Sequence, residues 1–331
     1  MSGLNHFFRA GIARTLIVAA LGLMAFATAA KAESLTVVLD WAWRPHHAPF
    51  VMALEKGYYK EAGLDVKIEQ GRGSNSAAIL VGQGNFDLAH LNVTNAAQAI
   101  GKGVPIKVVG LYQHQTASAF IGVKGRVELK GVESLKTLKI GSTPGGSDGL
   151  GMAIFAKVTG IPQDTLNIIS LEGNTKTAAL LMGQVDVVSG DTYAFHALVR
   201  AGGFEPVDLR HVDLGVPLLG FGFAANAKAL SEKPEAIKTF LQVTKRAYAE
   251  AIKDYTAACQ LMIDKVDLTG SMEGCIDYFS GLVELSTSPE SAEWGHQTPE
   301  EWQKLIAILR EVGEVPAEIP VETYYTTDVQ P

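Results

Sequence analysis

Positive charge is scarce in this sequence. It has 28 lysines and arginines against 35 aspartates and glutamates, a net charge of −7 at pH 7. An acidic chain repels a phosphate backbone, which argues against nucleic acid as a partner. Cysteine is scarcer still. Cys259 and Cys275 are the only two, too few and too far apart for a C-x-x-C pair or a cysteine-based metal cluster. In an oxidising compartment these two are expected to pair with each other; two unpaired buried thiols are the alternative. Beyond Ala32 no stretch is apolar enough to span a membrane. The Walker loop, the dinucleotide G-x-G-x-x-G and the metalloprotease H-E-x-x-H are all missing. No metal site and no cofactor are expected.

What is present begins with an address. "MSGLNHFFRAGIAR" carries Arg9 and Arg14 and no acid, "TLIVAALGLMAFATAA" is apolar, and "AKA" ends at Ala32. A basic start, a short apolar segment and an A-x-A end predict a cleavable secretory signal over residues 1–32. No cysteine comes after it to carry a lipid anchor. Its removal takes away three bases, Arg9, Arg14 and Lys31, and moves the net charge to about −10. The expected location is the periplasm.

The remainder alternates strands and helices. "LTVVL", "LDVKIEQ", "FDLAHL" and "IKVVGLYQ" read as strands; "PFVMALEKGYYKEAG", "SNSAAILVGQG" and "TNAAQAIGKG" read as helices, the first closed by Gly63 and the second capped by Ser74 or Asn75. This order implies a largely parallel sheet covered by helices. The pattern then restarts with "LKTLKIGST", "SDGLGMAIFAKVTG", "LNIISLEG", "NTKTAALLMGQ" and "VDVVSG". One segment looks duplicated. Ala77, Ala78, Leu80, Gly82 and Gln83 match Ala178, Ala179, Leu181, Gly183 and Gln184 at a constant offset, so two lobes of one architecture are expected. After "VPLLGFGFAAN" the chain reads as helical. Thr298, Pro299 and Glu301 form a capping box, ahead of an apolar stripe of Trp302, Leu305, Ile306 and Leu309.

The loop "LDWAWRPHHAPF" concentrates two tryptophans, an aspartate, an arginine and two histidines. Together with the helix after it, this loop carries a resemblance. Asp40-Trp41, His47 six residues after the tryptophan, and "KGYYKEAGL" resemble the N-terminal signature of a family of ABC-importer binding proteins. That family includes the periplasmic binders of thiamine pyrimidine precursors, sulfonates, taurine and nitrate; the eukaryotic enzyme making the thiamine pyrimidine shares its fold. The tight match covers about thirty residues.

The resemblance implies an α/β fold, a two-lobed periplasmic-binding-protein clamshell of type II. Residues 33–117 and 220–331 would form the first lobe and 118–219 the second, with "TASAFIGVKG" and "PLLGFGFAAN" as crossovers. Ligands of open α/β sheets lie beyond the carboxyl ends of strands. The candidate ligand residues are therefore those on strand-end loops: Asp40, Trp41 and His47; Ser74 and Asn75; Asn92, Thr94 and Asn95; Ser147 and Asp148; Glu172 and Asn174; Asp191 and Tyr193. Trp41 would stack on a planar solute, with Tyr193 as an opposite face. Asp40 would orient its loop through backbone N–H groups. The acids Asp148, Glu172 and Asp191 favour a nitrogen-bearing heterocycle such as a pyrimidine over a compact anion, which would call for bare helix N-termini and an arginine or lysine. A sulfonate, taurine, nitrate or aromatic carboxylate is the alternative. Each capping residue could equally serve only its own helix.

Two enzyme readings compete. "GGSDG", residues 145–149, matches the G-x-S-x-G nucleophile elbow, but Pro144 interrupts the strand-to-helix turn it needs. In the eukaryotic pyrimidine synthase a lysine holding pyridoxal phosphate and a reactive histidine come just after the strand corresponding to "FDLAHL"; here those positions fall near Leu91 and Asn95. The expectation is a monomeric binding protein and not an enzyme, with a small-molecule solute and an inner-membrane ABC permease as partners.

Overall fold

The computed structural model describes residues 32–143 and 147–331, apart from the side chain of Ser147. The expected signal segment, up to residue 31, and Pro144 to Gly146 of the elbow motif lie outside the described residues.

Among the described residues, ten strands form two five-stranded sheets with one shared plan. The first sheet has the order β2-β1-β3-β10-β4, from Glu33–Val38 (β1), Leu64–Glu69 (β2), Leu88–Asn92 (β3), Ile106–Leu111 (β4) and Phe221–Asn226 (β10). The second has the order β7-β6-β8-β5-β9, from Ser118–Val123 (β5), Lys139–Ser142 (β6), Asn167–Ser170 (β7), Val187–Asp191 (β8) and Pro206–Arg210 (β9). In each sheet one strand, β1 or β6, pairs in parallel with two neighbours, and one strand, β10 or β5, runs antiparallel to both of its own. The repeated segments occupy equivalent places: Ser74–Gly82 leads into β3 and Lys176–Leu181 into β8.

The fold is a two-lobed α/β clamshell. The chain passes from one sheet to the other between β4 and β5 and returns between β9 and β10. The two passages are tied together. Gly220 N–H donates to Gln113 O at 2.9 Å, Thr116 N–H to Leu218 O at 2.9 Å, and Phe221 N–H to Gln113 Oε1 at 3.0 Å. Gly220 has no room for a side chain, since a Cβ would lie 2.0 Å from Gln113 Oε1.

The expected helix over 49–63 is two pieces, Ala48–Glu55 and Tyr58–Glu61. Gly57 divides them at φ +72, a left-handed conformation that suits glycine and ends a helix. The C-terminal helices cover the first sheet: Ile237, Phe240, Leu241 and Tyr248 are buried with Phe223 and Trp294. Cys259 and Cys275 form a disulfide joining the helices Tyr255–Val266 and Met272–Glu284. Thr298 and Glu301 make the capping box of the helix Pro299–Glu311, whose Trp302, Leu305, Ile306 and Leu309 are buried. Among the described residues no helix is long and apolar enough to cross a membrane.

Candidate functional site

Three backbone bonds pin the loop after β1 to the loop after β2. Leu39 N–H donates to Glu69 O at 2.8 Å, Gly71 N–H to Trp41 O at 3.1 Å and Gly73 N–H to Asp40 O at 2.7 Å. The approach is close enough that a Cβ on Gly71 would lie 1.8 Å from Leu39 O. This fixes where Trp41 points. Its Cζ3 is 3.7 Å from the place a Cβ on Gly73 would take, and its Cη2 and Cζ2 are 3.7 Å from the equivalent place on Gly173, in the loop after β7. The half-buried indole therefore spans from a loop of the first sheet to a loop of the second. It belongs to none of the hydrophobic clusters. Trp43 is the tryptophan that packs under the loop, against the core and edge-on to His47.

Asp40 does not orient the loop in the expected way. Its side chain turns inward, where Oδ1 lies 2.8 Å from His47 Nε2, 2.8 Å from His90 Nδ1 and 3.4 Å from His46 Nε2. Asp40, His46, His47 and His90 are all buried. Burial opposes ionisation of Asp40, yet His46 and His47 hold its carboxyl well below the usual range. Burial pushes His47 down to about 3 and lowers His90. Arg44 N–H donates to His47 Nδ1 at 3.0 Å, so the neutral ring carries its proton on Nε2 and donates it to Asp40. The ring of His46 is stacked on Tyr278 at 5.7 Å and on Phe221 at 5.5 Å. His90 Nε2 is 2.6 Å from Tyr112 Oη, which Tyr248 approaches at 3.3 Å.

The remaining first-lobe candidates mostly bond to one another. Ser74 is the first residue of its helix; Gly73, at φ +120, holds the cap position with no side-chain bond. Ser74 Oγ accepts from Asn92 N–H at 3.1 Å. Asn92 Oδ1 accepts from Thr94 and Asn95 N–H and caps the helix Val93–Gly101. Asn95 Nδ2 donates to Asn75 Oδ1 at 3.0 Å, and Thr94 Oγ1 donates to Leu219 O at 2.8 Å, tying this helix to the return passage.

In the second lobe Ser147 begins the helix Ser147–Thr159. Asp148 accepts from Thr143 N–H at 3.2 Å and from buried Lys176 at 2.5 Å. Lys176 also donates to Ser189 O at 2.8 Å, so the acid-rich rim is partly neutralised. Asp191 holds the N-cap position of the helix Thr192–Ala201, but its side chain makes no capping bond. It accepts from Tyr193 Oη at 3.0 Å and Ser118 Oγ at 3.3 Å, and burial raises its pKa. Tyr193 is buried with Tyr278, 5.2 Å edge-on, and 6.3 Å from His46. Its ring belongs to that aromatic group, whereas the expected role was the face opposite Trp41. Glu172 and Asn174 flank Gly173, whose Cβ position lies against the indole, and both are exposed. A cavity of about 910 Å³ between the helices Thr192–Ala201 and Met272–Glu284, and one of about 310 Å³ at the passages, are not lined by Trp41.

Sequence reasoning missed His90, Tyr112 and Tyr278. A histidine inside the apolar strand "LAHLN" was the one available signal; the tyrosines had none, because helix and strand ends far apart in the chain bring them in.

Residues 44–258 match the family described as "NMT1/THI5 like". The 4-amino-5-hydroxymethyl-2-methylpyrimidine phosphate synthase THI13 of Saccharomyces cerevisiae is 23% identical over 268 residues, covering 76% of this chain and 78% of that protein. The fold is similar to that of the periplasmic aliphatic sulphonate binding protein SsuA of Escherichia coli, with a TM-score of 0.72, 16% identity, and 90% and 93% of the two chains covered. It is also similar to the periplasmic nitrate-binding protein NrtA of Synechocystis PCC 6803, with a TM-score of 0.68, 14% identity, and 90% and 87% covered. The synthase names of the curated relatives overturn the expectation that the chain is not an enzyme. A match over that span, on a fold of this topology, has one conclusion: the chain belongs to the NMT1/THI5-like family.

Proposed function

We propose that this protein captures a small, planar, nitrogen-containing solute of the thiamine-pyrimidine-precursor type between its two lobes, in the periplasm, and presents it to an ABC permease of the inner membrane. The observation that carries the reading is Trp41, a half-buried indole outside every hydrophobic cluster that reaches loops of both sheets. An aromatic face at such a place stacks a planar ring and registers closure of the two lobes upon it. Glu172, beside Gly173, offers a carboxylate to ring or exocyclic N–H groups. Asp148 and Asp191 support this less than Glu172, because Lys176 and Tyr193 already occupy them. Asp40 and His47 act from behind the wall as positioning residues.

The names of the curated relatives favour a second reading, a pyrimidine-phosphate synthase. The positions that the family resemblance gives to the lysine and histidine of that chemistry do not suit a lysine-held pyridoxal phosphate. Leu91 is fully buried in the core and Asn95 is bonded to Asn75.

The test is mass spectrometry of any small molecule carried through purification, then calorimetry with aminopyrimidines, sulfonates, taurine, nitrate and aromatic carboxylates. Tight binding of an aminopyrimidine is expected. Tight binding of sulfonate or nitrate alone overturns the solute class, and release of a pyrimidine phosphate by the purified protein moves the site to the synthase reading.

A further inference from the structure

Two sequence-distant segments, the loop after β1 and the strand β3, bring four ligand-type side chains to one buried point. Asp40 lies just past β1, His46 and His47 belong to the turn Pro45–His47, and His90 lies in β3. One donor atom from each falls within 4.8 Å of all the others. The three histidines all meet a single oxygen of Asp40, Oδ1, at 2.8, 2.8 and 3.4 Å. Among the described residues no lysine or arginine pairs with Asp40, so its ion partners are imidazoles alone. A fixed cation at this point would offset the cost of burying the carboxylate.

The second observation is His46. It is 2% exposed, its Nε2 has only the long 3.4 Å contact, and its Nδ1 has no partner. Neither tautomer satisfies this ring well, and its lone pairs are not committed elsewhere. His90 is suited to ligation through Nδ1, because its Nε2–H would then donate to Tyr112 Oη at 2.6 Å, the outer-shell bond that orients metal-bound imidazoles. His47 is different. Its Nδ1 accepts from Arg44 N–H, which leaves the proton on the nitrogen facing Asp40. It serves as a donor to the carboxylate rather than as a ligand.

We propose that Asp40, His46 and His90 form a binding site for a divalent transition cation of the zinc type, with His47 holding the Asp40 carboxylate in place. Bonds of about 2.0–2.1 Å place the ligand atoms of a tetrahedral ion roughly 3.3 Å apart, between the 2.8 and 3.4 Å that separate Asp40 Oδ1 from His90 and from His46. Two imidazoles and one carboxylate suit zinc, cobalt or nickel and not calcium or magnesium, which take oxygen ligands. The site shares no residue with the Trp41–Glu172 wall and goes beyond the solute reading.

The full chain is stripped with a chelator and titrated with Zn²⁺ alone, then with Co²⁺ alone. One equivalent per chain is expected, with visible cobalt absorption of a low-coordinate site. Asp40→Asn, and His46→Phe, which keeps the stacking on Tyr278 and Phe221, should each lose at least tenfold in affinity; His47→Gln should lose roughly 10–100-fold as an outer-shell change. Circular dichroism establishes that each variant is folded. Absence of stoichiometric binding overturns the proposal. So does zinc affinity unchanged in folded His46→Phe, which would place the ion on other residues.

Discussion

Trp41 and Trp302 are both aromatic, yet they answer to different measurements. Trp41 stands between two loops outside the core, whereas Trp302 is fully buried, stacked on Tyr325 and bonded through Nε1 to Gln297. Trp41→Ala should weaken solute binding by about 1–3 kcal/mol in calorimetry. It should shift denaturant unfolding without ligand by far less than the roughly 3–5 kcal/mol expected of Trp302→Ala. Normal binding with easy unfolding would make Trp41 a packing residue. Tyr193→Ala belongs with the core group, since Tyr193 is 4% exposed and packs on Tyr278. His211 provides a pH test. It is buried against Phe120 and Phe155, neither ring nitrogen has a partner, and burial lowers its pKa from 6.5 to about 4. Between these values the unfolded chain binds the proton and the folded one does not, so the neutral ring's contribution is complete above pH 6.5 and stability falls with pH towards 4. His211→Leu should remove up to roughly 3 kcal/mol of that pH-dependent loss. Unfolding curves of equal pH slope in parent and variant would contradict it.

At the scale of elements, the helix Met272–Glu284 joins several parts of the molecule. Its Tyr278 stacks on His46, its Gly281 leaves a Cβ only 3.1 Å from Tyr193 Cβ, and Cys275 bonds it to the neighbouring helix. The cysteine separation of 16 corresponds to about 3 kcal/mol of loop-closure stabilisation in the chain-entropy model. The double variant Cys259→Ser/Cys275→Ser should lose an amount of that order by chemical denaturation, and thiol titration of the unfolded, unreduced parent should find no free thiol. Thr298→Ala, which removes a cap bonded to Glu301, should cost about 1 kcal/mol by the same measurement. These elements were legible because capping and apolar spacing are local. The break at Gly57 was not, because a glycine within a helical pattern fits either a continued or a divided helix until its φ is known.

For the whole molecule, the proposed capture of a solute between two lobes implies linkage. At a hundredfold excess over Kd the bound solute should add about 2.7 kcal/mol, read as a thermal shift that grows with the logarithm of its concentration. No shift with any of the planar heterocycles, sulfonates or anions tested would leave the cleft without its proposed role. The duplicated helix–strand segments, about one hundred residues apart, had already pointed to two like lobes, and the two sheets share one strand order. The sequence by itself determined the α/β class, the repeat, the disulfide partners and the capping box, since each rests on local spacing or on there being only two cysteines. Only tertiary structure decided which strand-end residues face which way. It turned Asp40 and His47 inward to meet His90, gave Asp148 to Lys176, and set Tyr193 beside Tyr278. The physical reason is that a buried charge or polar group must take its partners from whichever elements pack against it, and those elements lie far away along the chain.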